Sequence, residues 1–99
     1  MDLRDDRARR LLDAVRAIPE GFVRTYGDLS PGAPRLTGTV LRMTDAEVPW
    51  WRVVRADGSP PLCHDGRARE AYLEEGTPLR PTGNVDIKRA FWRPPGRAS

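Results

Sequence analysis

The chain has 99 residues, of which 17 are basic and 14 acidic, giving a formal charge of +3. That length holds one compact domain with a modest core and excludes two. A single cysteine, Cys63, excludes an internal disulfide framework and argues against any metal site, and no apolar run approaches the roughly 20 residues of a membrane span. Residues 1–10 are charged where a leader would be apolar, so the expected setting is cytoplasmic and reducing.

Every basic side chain except Lys88 is an arginine. Arginine presents a planar fork that donates two parallel hydrogen bonds, which suits phosphates and base edges. The excess is uneven: residues 76–99 carry Arg80, Lys88, Arg89, Arg93 and Arg97 against Asp86 alone. This stretch is expected to supply most of any non-specific attraction to a polyanion.

Along the chain, Ala8, Leu11, Leu12, Val15 and Ile18 recur at three- and four-residue steps, which predicts an amphipathic helix between Asp2 and Ile18. Pro19-Glu20-Gly21 ends it. Phe22-Val23-Arg24 reads as a short extended piece. Thr25 and Asp28, three apart, have the hydroxyl and carboxylate of a capping box, so a second short helix is expected there. Pro31, Gly32 and Pro34 keep it short, and Pro34 suits the first turn of a third helix. On that helix Leu36, Val40 and Met43 are expected inward, with Arg35, Thr39 and Arg42 in an outward stripe. Gly38 in its interior costs about 1 kcal/mol relative to alanine. It signals close approach of another backbone, whether protein or nucleic acid.

The β-prone run Arg52-Val53-Val54-Arg55 is followed by Asp57-Gly58, a turn signal, which predicts a small hairpin or wing. Helical spacing resumes from Gly66 to Glu75, with Gly76 as the stop. Residues 85–92 offer apolar side chains that could dock back on the domain, and residues 94–99 are expected to fray. The predicted class is mainly α with a small β-hairpin, a winged-helix-like helix-turn-helix domain over residues 1–93.

Three segments carry a family resemblance. They are residues 18–29 (Ile-Pro-Glu-Gly-Phe-Val-Arg-Thr-Tyr-Gly-Asp-Leu), Arg35-Leu36-Thr37-Gly38, and residues 48–58 beginning Val48-Pro49-Trp50-Trp51-Arg52. With Leu73-Glu74-Glu75-Gly76 they span most of residues 10–80, and their order and spacing resemble the DNA-binding domain of the alkylguanine-DNA alkyltransferases. In that family a Pro-Cys-His-Arg signature holds the cysteine that takes the alkyl group. Here the four are Pro49-Trp50-Trp51-Arg52. The transfer needs a thiolate activated by a neighbouring base or cation, and an indole supplies neither. The resemblance is therefore to the alkyltransferase-like subfamily, which has tryptophan in the cysteine position, binds the lesion without removing it and flags it for excision repair.

The resemblance implies a mechanism. A nucleotide is turned out of the stack at a cost of a few kcal/mol, which is lower where alkylation has already weakened the pair. Arg35 would fill the gap from the minor groove, Tyr26 would help rotate the target phosphate, and Trp50 would wall the pocket. The lesion pocket is expected to comprise Tyr26, Trp50, Trp51 and Arg52. The DNA-binding set is Thr25, Tyr26, Arg35, Gly38, Thr39 and Arg42. Glu75 matches the family's buried acid, which orients the missing histidine, so a structural role is expected of it. No catalytic residue, metal or cofactor is implied. The implied partners are duplex DNA containing alkylated guanine and excision-repair proteins, with the protein acting as a monomer. The segment between Asp28 and Arg35 is several residues shorter than is usual in the family, which implies an abbreviated helix-turn-helix.

Three other readings compete. A sequence-reading regulator would use Arg35, Thr39 and Arg42 on base edges in the major groove, but would need a dimer for specificity. An enzyme using Cys63-His64 would lack the flanking proline and Arg-Val of the signature, so an incidental loop thiol is the better account. A degenerate domain reduced to an interaction module has the shortened segment as its support.

Overall fold

The computed structural model describes residues 6–44, 47–61 and 66–95. The first helix, α1, spans Asp6–Ala17 and buries Ala8, Leu11, Leu12 and Val15, the stripe expected from their spacing. Asp6 in its first turn and Arg16 in its last complement the helix dipole. Each fully buried leucine or valine side chain contributes about 1.5–3 kcal/mol of transfer free energy, so this face is the main anchor of the helix.

Strand β1, Arg24–Thr25, leads directly into α2, Tyr26–Leu29. Thr25 caps α2 by accepting the Asp28 amide at 3.1 Å. The expected box is half formed, because the Asp28 carboxylate accepts from Arg24 Nε at 2.5 Å instead of reaching back to the backbone. After one turn the chain leaves the helix at Ser30, whose single hydroxyl proton has the Ala33 carbonyl at 2.8 Å and the Tyr26 carbonyl at 3.2 Å as acceptors. Pro34 then opens α3, Pro34–Met43.

The inward face of α3 is rotated from the expected one. Thr37, Val40 and Leu41 are buried, while Met43 is 45% exposed. The reason is polar: the Thr37 hydroxyl lies 2.6 Å from that of Ser30, so a polar residue not counted among the inward ones is satisfied in the interior. That bond also ties the two helices of the helix-turn-helix together.

A short 3₁₀ turn, Trp50–Arg52, precedes strand β2, Val53–Val54. The Asp57-Gly58 turn forms, with the Gly58 amide donating to the Arg55 carbonyl at 2.8 Å and the Arg55 amide to Ser59 at 3.0 Å. No hairpin follows from it. Pro60 and Pro61 have no amide hydrogen to continue a ladder, and β2 pairs in parallel with β1, Arg24 opposite Val53 and Thr25 opposite Val54. Both valines are buried on both sides, the usual condition of a parallel strand. The class is mainly helical with short strands, and the strand topology is parallel where a wing was expected.

The valine pair also divides the interior. Val53 joins Ala8, Leu11, Leu12, Val15, Ile18, Val40, Leu41 and Val48, while Val54 joins Val23, Ala68, Tyr72, Val85 and Ala90. Trp50 packs against both clusters. Helix α4, Ala68–Glu75, contributes Ala68 and Tyr72 to the second cluster and ends on Gly76 in the left-handed conformation (φ 71°). Residues 85–92 dock back as their apolar content suggested, but they do so partly through a helix, α5 (Ile87–Ala90), that periodicity did not reveal. The Val23 amide donates to the Ala90 carbonyl and the Trp92 amide to that of Val23, both at 2.9 Å. No helix among the described residues is long and apolar enough to cross a membrane.

Candidate nucleic-acid interface

A cleft of about 540 Å³ opens between the start of α2, one face of α3 and the residues that follow β2. Tyr26 and Gly27 come from α2, Pro34, Arg35, Gly38, Leu41 and Arg42 from α3, and Arg55 and Ala56 from the turn. Because β1 runs straight into α2 and pairs with β2, the two-residue ladder sets Tyr26 and Arg55 on one frame. Residues 35, 38 and 42 share an α3 face at helical spacing. Among the described residues the lining holds three arginines and no carboxylate. Arg35 and Arg42 are exposed and make no ion pair among the described residues. Such a cleft concentrates positive potential and draws in a polyanion.

Gly38 forms part of the floor. A Cβ there would sit 3.8 Å from Tyr26 Cε1, an ordinary contact, so packing within the protein does not require glycine. Its effect is to leave the cleft floor bare next to the tyrosine ring.

Trp50, Trp51 and Arg52, expected in the lesion pocket with Tyr26, are not among the residues lining this cleft. The two indoles meet edge to face at 5.5 Å, and both are half-buried. Trp51 Nε1 donates to Glu75 Oε2 at 2.9 Å, and its carbonyl accepts from the Tyr72 hydroxyl at 2.6 Å. Arg52 grips the same carboxylate through Nε and Nη2, the latter at 2.5 Å, and sends Nη1 to the Ile18 carbonyl at 2.7 Å. Glu75 Oε1 also accepts the Gly21 amide at 3.1 Å. The acid therefore ties the end of α4 to the turn after α1 and to the 3₁₀ turn. Burial pushes its carboxyl up, but the hydrogen bonds from Arg52, Gly21 and Trp51 outweigh this and hold it below its ordinary value. The resemblance pairs this acid with a histidine, and here an indole N–H meets it.

Of the residues singled out from sequence, Tyr26, Arg35, Gly38 and Arg42 come together in the cleft. Thr25 and Thr39 are half-buried beside it, with the Thr25 hydroxyl used as the helix cap. Trp51 and Arg52 are held by Glu75, and Trp50 packs on the core cluster that Tyr26 also touches. Sequence reading missed Arg55 and Ala56. The available signal was Arg55 ending a β-prone run immediately before a turn, a position that projects a side chain at a sheet edge. Cys63 and His64 lie outside the described residues. Among the described residues no cluster of three His, Cys, Asp or Glu is placed to hold a metal ion.

A helix-turn-helix whose second helix turns its arginines into an open, cation-lined cleft defines a nucleic-acid-binding domain. The sequence profile of the 6-O-methylguanine DNA methyltransferase DNA-binding domain matches residues 6–76, and the chain belongs to that family. It is 38% identical over 101 aligned residues to a DNA base-flipping protein of Escherichia coli K12, covering 93% of this chain and 78% of that protein. A DNA base-flipping protein of Vibrio parahaemolyticus is 26% identical over 94 residues, covering 86% and 94%. Among solved structures, S. pombe ATL in complex with DNA superposes with a TM-score of 0.76. S. pombe Atl1 in complex with damaged DNA containing O6-carboxymethylguanine does so at 0.79. Both are 25% identical and cover 95% of this chain and 100% of theirs.

Proposed function

We propose that this protein recognises alkylated guanine in double-stranded DNA by drawing the nucleotide out of the helix, and that it leaves the alkyl group in place. The observation that carries the reading is the cleft, in which Tyr26 and the α3 arginine Arg35 line one open space to which the described residues bring no carboxylate. The base-flipping relatives and the likeness to a protein bound to O6-carboxymethylguanine DNA support it. Arg35 enters the duplex and occupies the vacated position, where a guanidinium stacks, donates to the orphaned base and stays charged near phosphates. Tyr26 turns the target phosphate. Trp50, packed on the core cluster that Tyr26 also touches, offers an aromatic wall, and base stacking of that kind contributes roughly 1–3 kcal/mol without reading a fixed adduct shape.

Alkyl transfer is closed because Trp50 and Trp51 stand where the family's cysteine and histidine are expected, and neither indole forms a nucleophile or a base. Trp51 and Arg52 act through Glu75, which holds both, and Thr25, Thr39 and Arg42 flank the duplex-facing surface. Bound as a monomer, the protein marks the lesion for excision-repair proteins. The test is a salt-controlled titration of paired duplexes that differ by one O6-methylguanine. Tighter binding of the modified duplex is expected. Equal affinities would sink the reading, and selection of a palindrome from random duplexes would replace it with a sequence-reading regulator.

A further inference from the structure

The cleft has more cationic capacity than the filling of a gap in the duplex uses. Arg35 is committed to that role in the reading above, which leaves Arg42 on α3 and Arg55 beyond β2 among the lining residues. The placement of Arg55 is built into the fold. Its turn is closed by two backbone bonds, Gly58 N to Arg55 O at 2.8 Å and Arg55 N to Ser59 O at 3.0 Å. Residues 79–85 clamp the same turn, since the Val85 amide donates to the Gly58 carbonyl at 2.9 Å. Gly58 has φ +86°, and a Cβ there would come within 2.2 Å of the Val85 carbonyl oxygen. The backbone carrying Arg55 therefore has little freedom to move away from the cleft.

The acid of the turn is held within the turn itself. Asp57 Oδ1 accepts from the Ser59 amide and hydroxyl at 2.9 and 2.6 Å. Asp57 lines a separate hollow of about 420 Å³ with Arg80, Asp86 and Lys88, and Ala56 borders both spaces. Arg55 therefore lines the cleft while Asp57 does not, although the Asp57 carboxyl is held below its ordinary value first by the hydrogen bonds from Ser59 and then by nearby Arg55. A cleft of this size takes a purine with a substituent. A guanidinium met by a carboxylate forms a bidentate, charge-assisted pair. Met by a neutral group, it stays hydrated and costs little.

We propose that Arg55, together with Arg42 on the α3 wall, forms an anion-accepting subsite that makes this protein favour guanine adducts bearing a carboxylate over neutral adducts of the same size. The proposal rests on the lesion-recognition reading and adds to it the adduct class. The competing use of the same guanidiniums, contact with backbone phosphates, strengthens binding to every duplex alike.

Four duplexes identical but for one guanine separate these cases: unmodified, O6-methyl, O6-carboxymethyl and O6-carboxamidomethyl, the last being the neutral isostere of the third. Titrated by fluorescence anisotropy at fixed salt, the carboxymethyl duplex should bind at least about fivefold more tightly than the carboxamidomethyl one, a conservative figure for a hydrogen bond to a charged group. Arg55→Gln should bring that ratio below about twofold, and Arg55→Lys should retain part of it. Arg55 is exposed, so neither change disturbs the core. A wild-type ratio near one, with the methyl duplex still preferred over the unmodified one, would remove the subsite and leave lesion recognition standing. Arg55→Gln weakening all four duplexes by one factor would make it a phosphate contact and also overturn the proposal. No preference for any modified duplex would end the underlying reading, and the subsite with it.

Discussion

Arginine does opposite work beside the tryptophan pair and in the cleft. Arg52, over the Trp51 ring, has its donors spent on Glu75 and the Ile18 carbonyl, and its side chain is only 12% exposed against 10% for the acid. Arg35, Arg42 and Arg55 line a cleft to which the described residues bring no carboxylate. A paired and buried guanidinium fixes the chain, because removing its partner leaves an uncompensated charge in the interior. An unpaired exposed one adds little to the fold and keeps its hydrogen-bonding capacity for a ligand. The difference lies in the acids nearby and in burial, since the side chain is the same.

The comparison can be broken at either end, and the largest effect is expected at the Arg52–Glu75 network. Glu75→Ala should cost about 3 kcal/mol of stability in a denaturant titration, the scale for stripping one partner from a buried ion pair. A loss under about 1 kcal/mol would show that Arg52 and Trp51 find other partners. Gly58→Ala should come next, at about 2 kcal/mol, because a residue with φ +86° and a Cβ within 2.2 Å of Val85 O strains the turn whichever way it relaxes.

In the cleft the expected effect moves from stability to affinity. Arg35→Ala should lower the preference for an alkylated duplex about tenfold while the unfolding free energy stays within ~0.5 kcal/mol. A large stability loss instead would place Arg35 in the fold and not in the interface.

The pH response sharpens the same contrast more gently. Glu75 titrates lower in the folded chain than its ordinary value of 4.5. Its stabilisation is therefore complete above that value and is lost as pH falls through the lowered one. Glu75→Gln should flatten the acid limb of a stability-against-pH curve, and an unchanged limb would assign acid sensitivity to other carboxylates. Smallest of all, Met43→Ser should change stability by no more than ~0.5 kcal/mol, as befits a residue 45% exposed.

How much of this was legible depended on whether the signal was local. The stripe of α1, the Thr25 cap, the Pro34 start of α3 and the Gly76 stop all follow from residues within a turn of one another, and each could be read from spacing. The rotated face of α3 could not, because Thr37 is buried by a hydroxyl partner seven residues away in a different element. The parallel pairing of β2 escaped for a similar reason: a nearby turn signal suggested a hairpin, while the actual partner lies some thirty positions upstream at Arg24–Thr25. In the cleft, Tyr26, Arg35, Gly38 and Arg42 were found through motif resemblance. Arg55 was not, because its place depends on Val85 holding the turn from a distant part of the chain. The Glu75 network was visible only as an acid in the expected position, and the fit of an indole N–H to it needed coordinates.

The docking of residues 85–92 against Val23 has a practical consequence for where this domain can be cut. The family profile stops at residue 76. A fragment ending there would strip Val23 of both backbone partners and bare one side of Tyr72 and Val54. The shortest autonomous piece must therefore reach at least Trp92, so the border drawn by kinship is not the border at which the polypeptide becomes self-supporting.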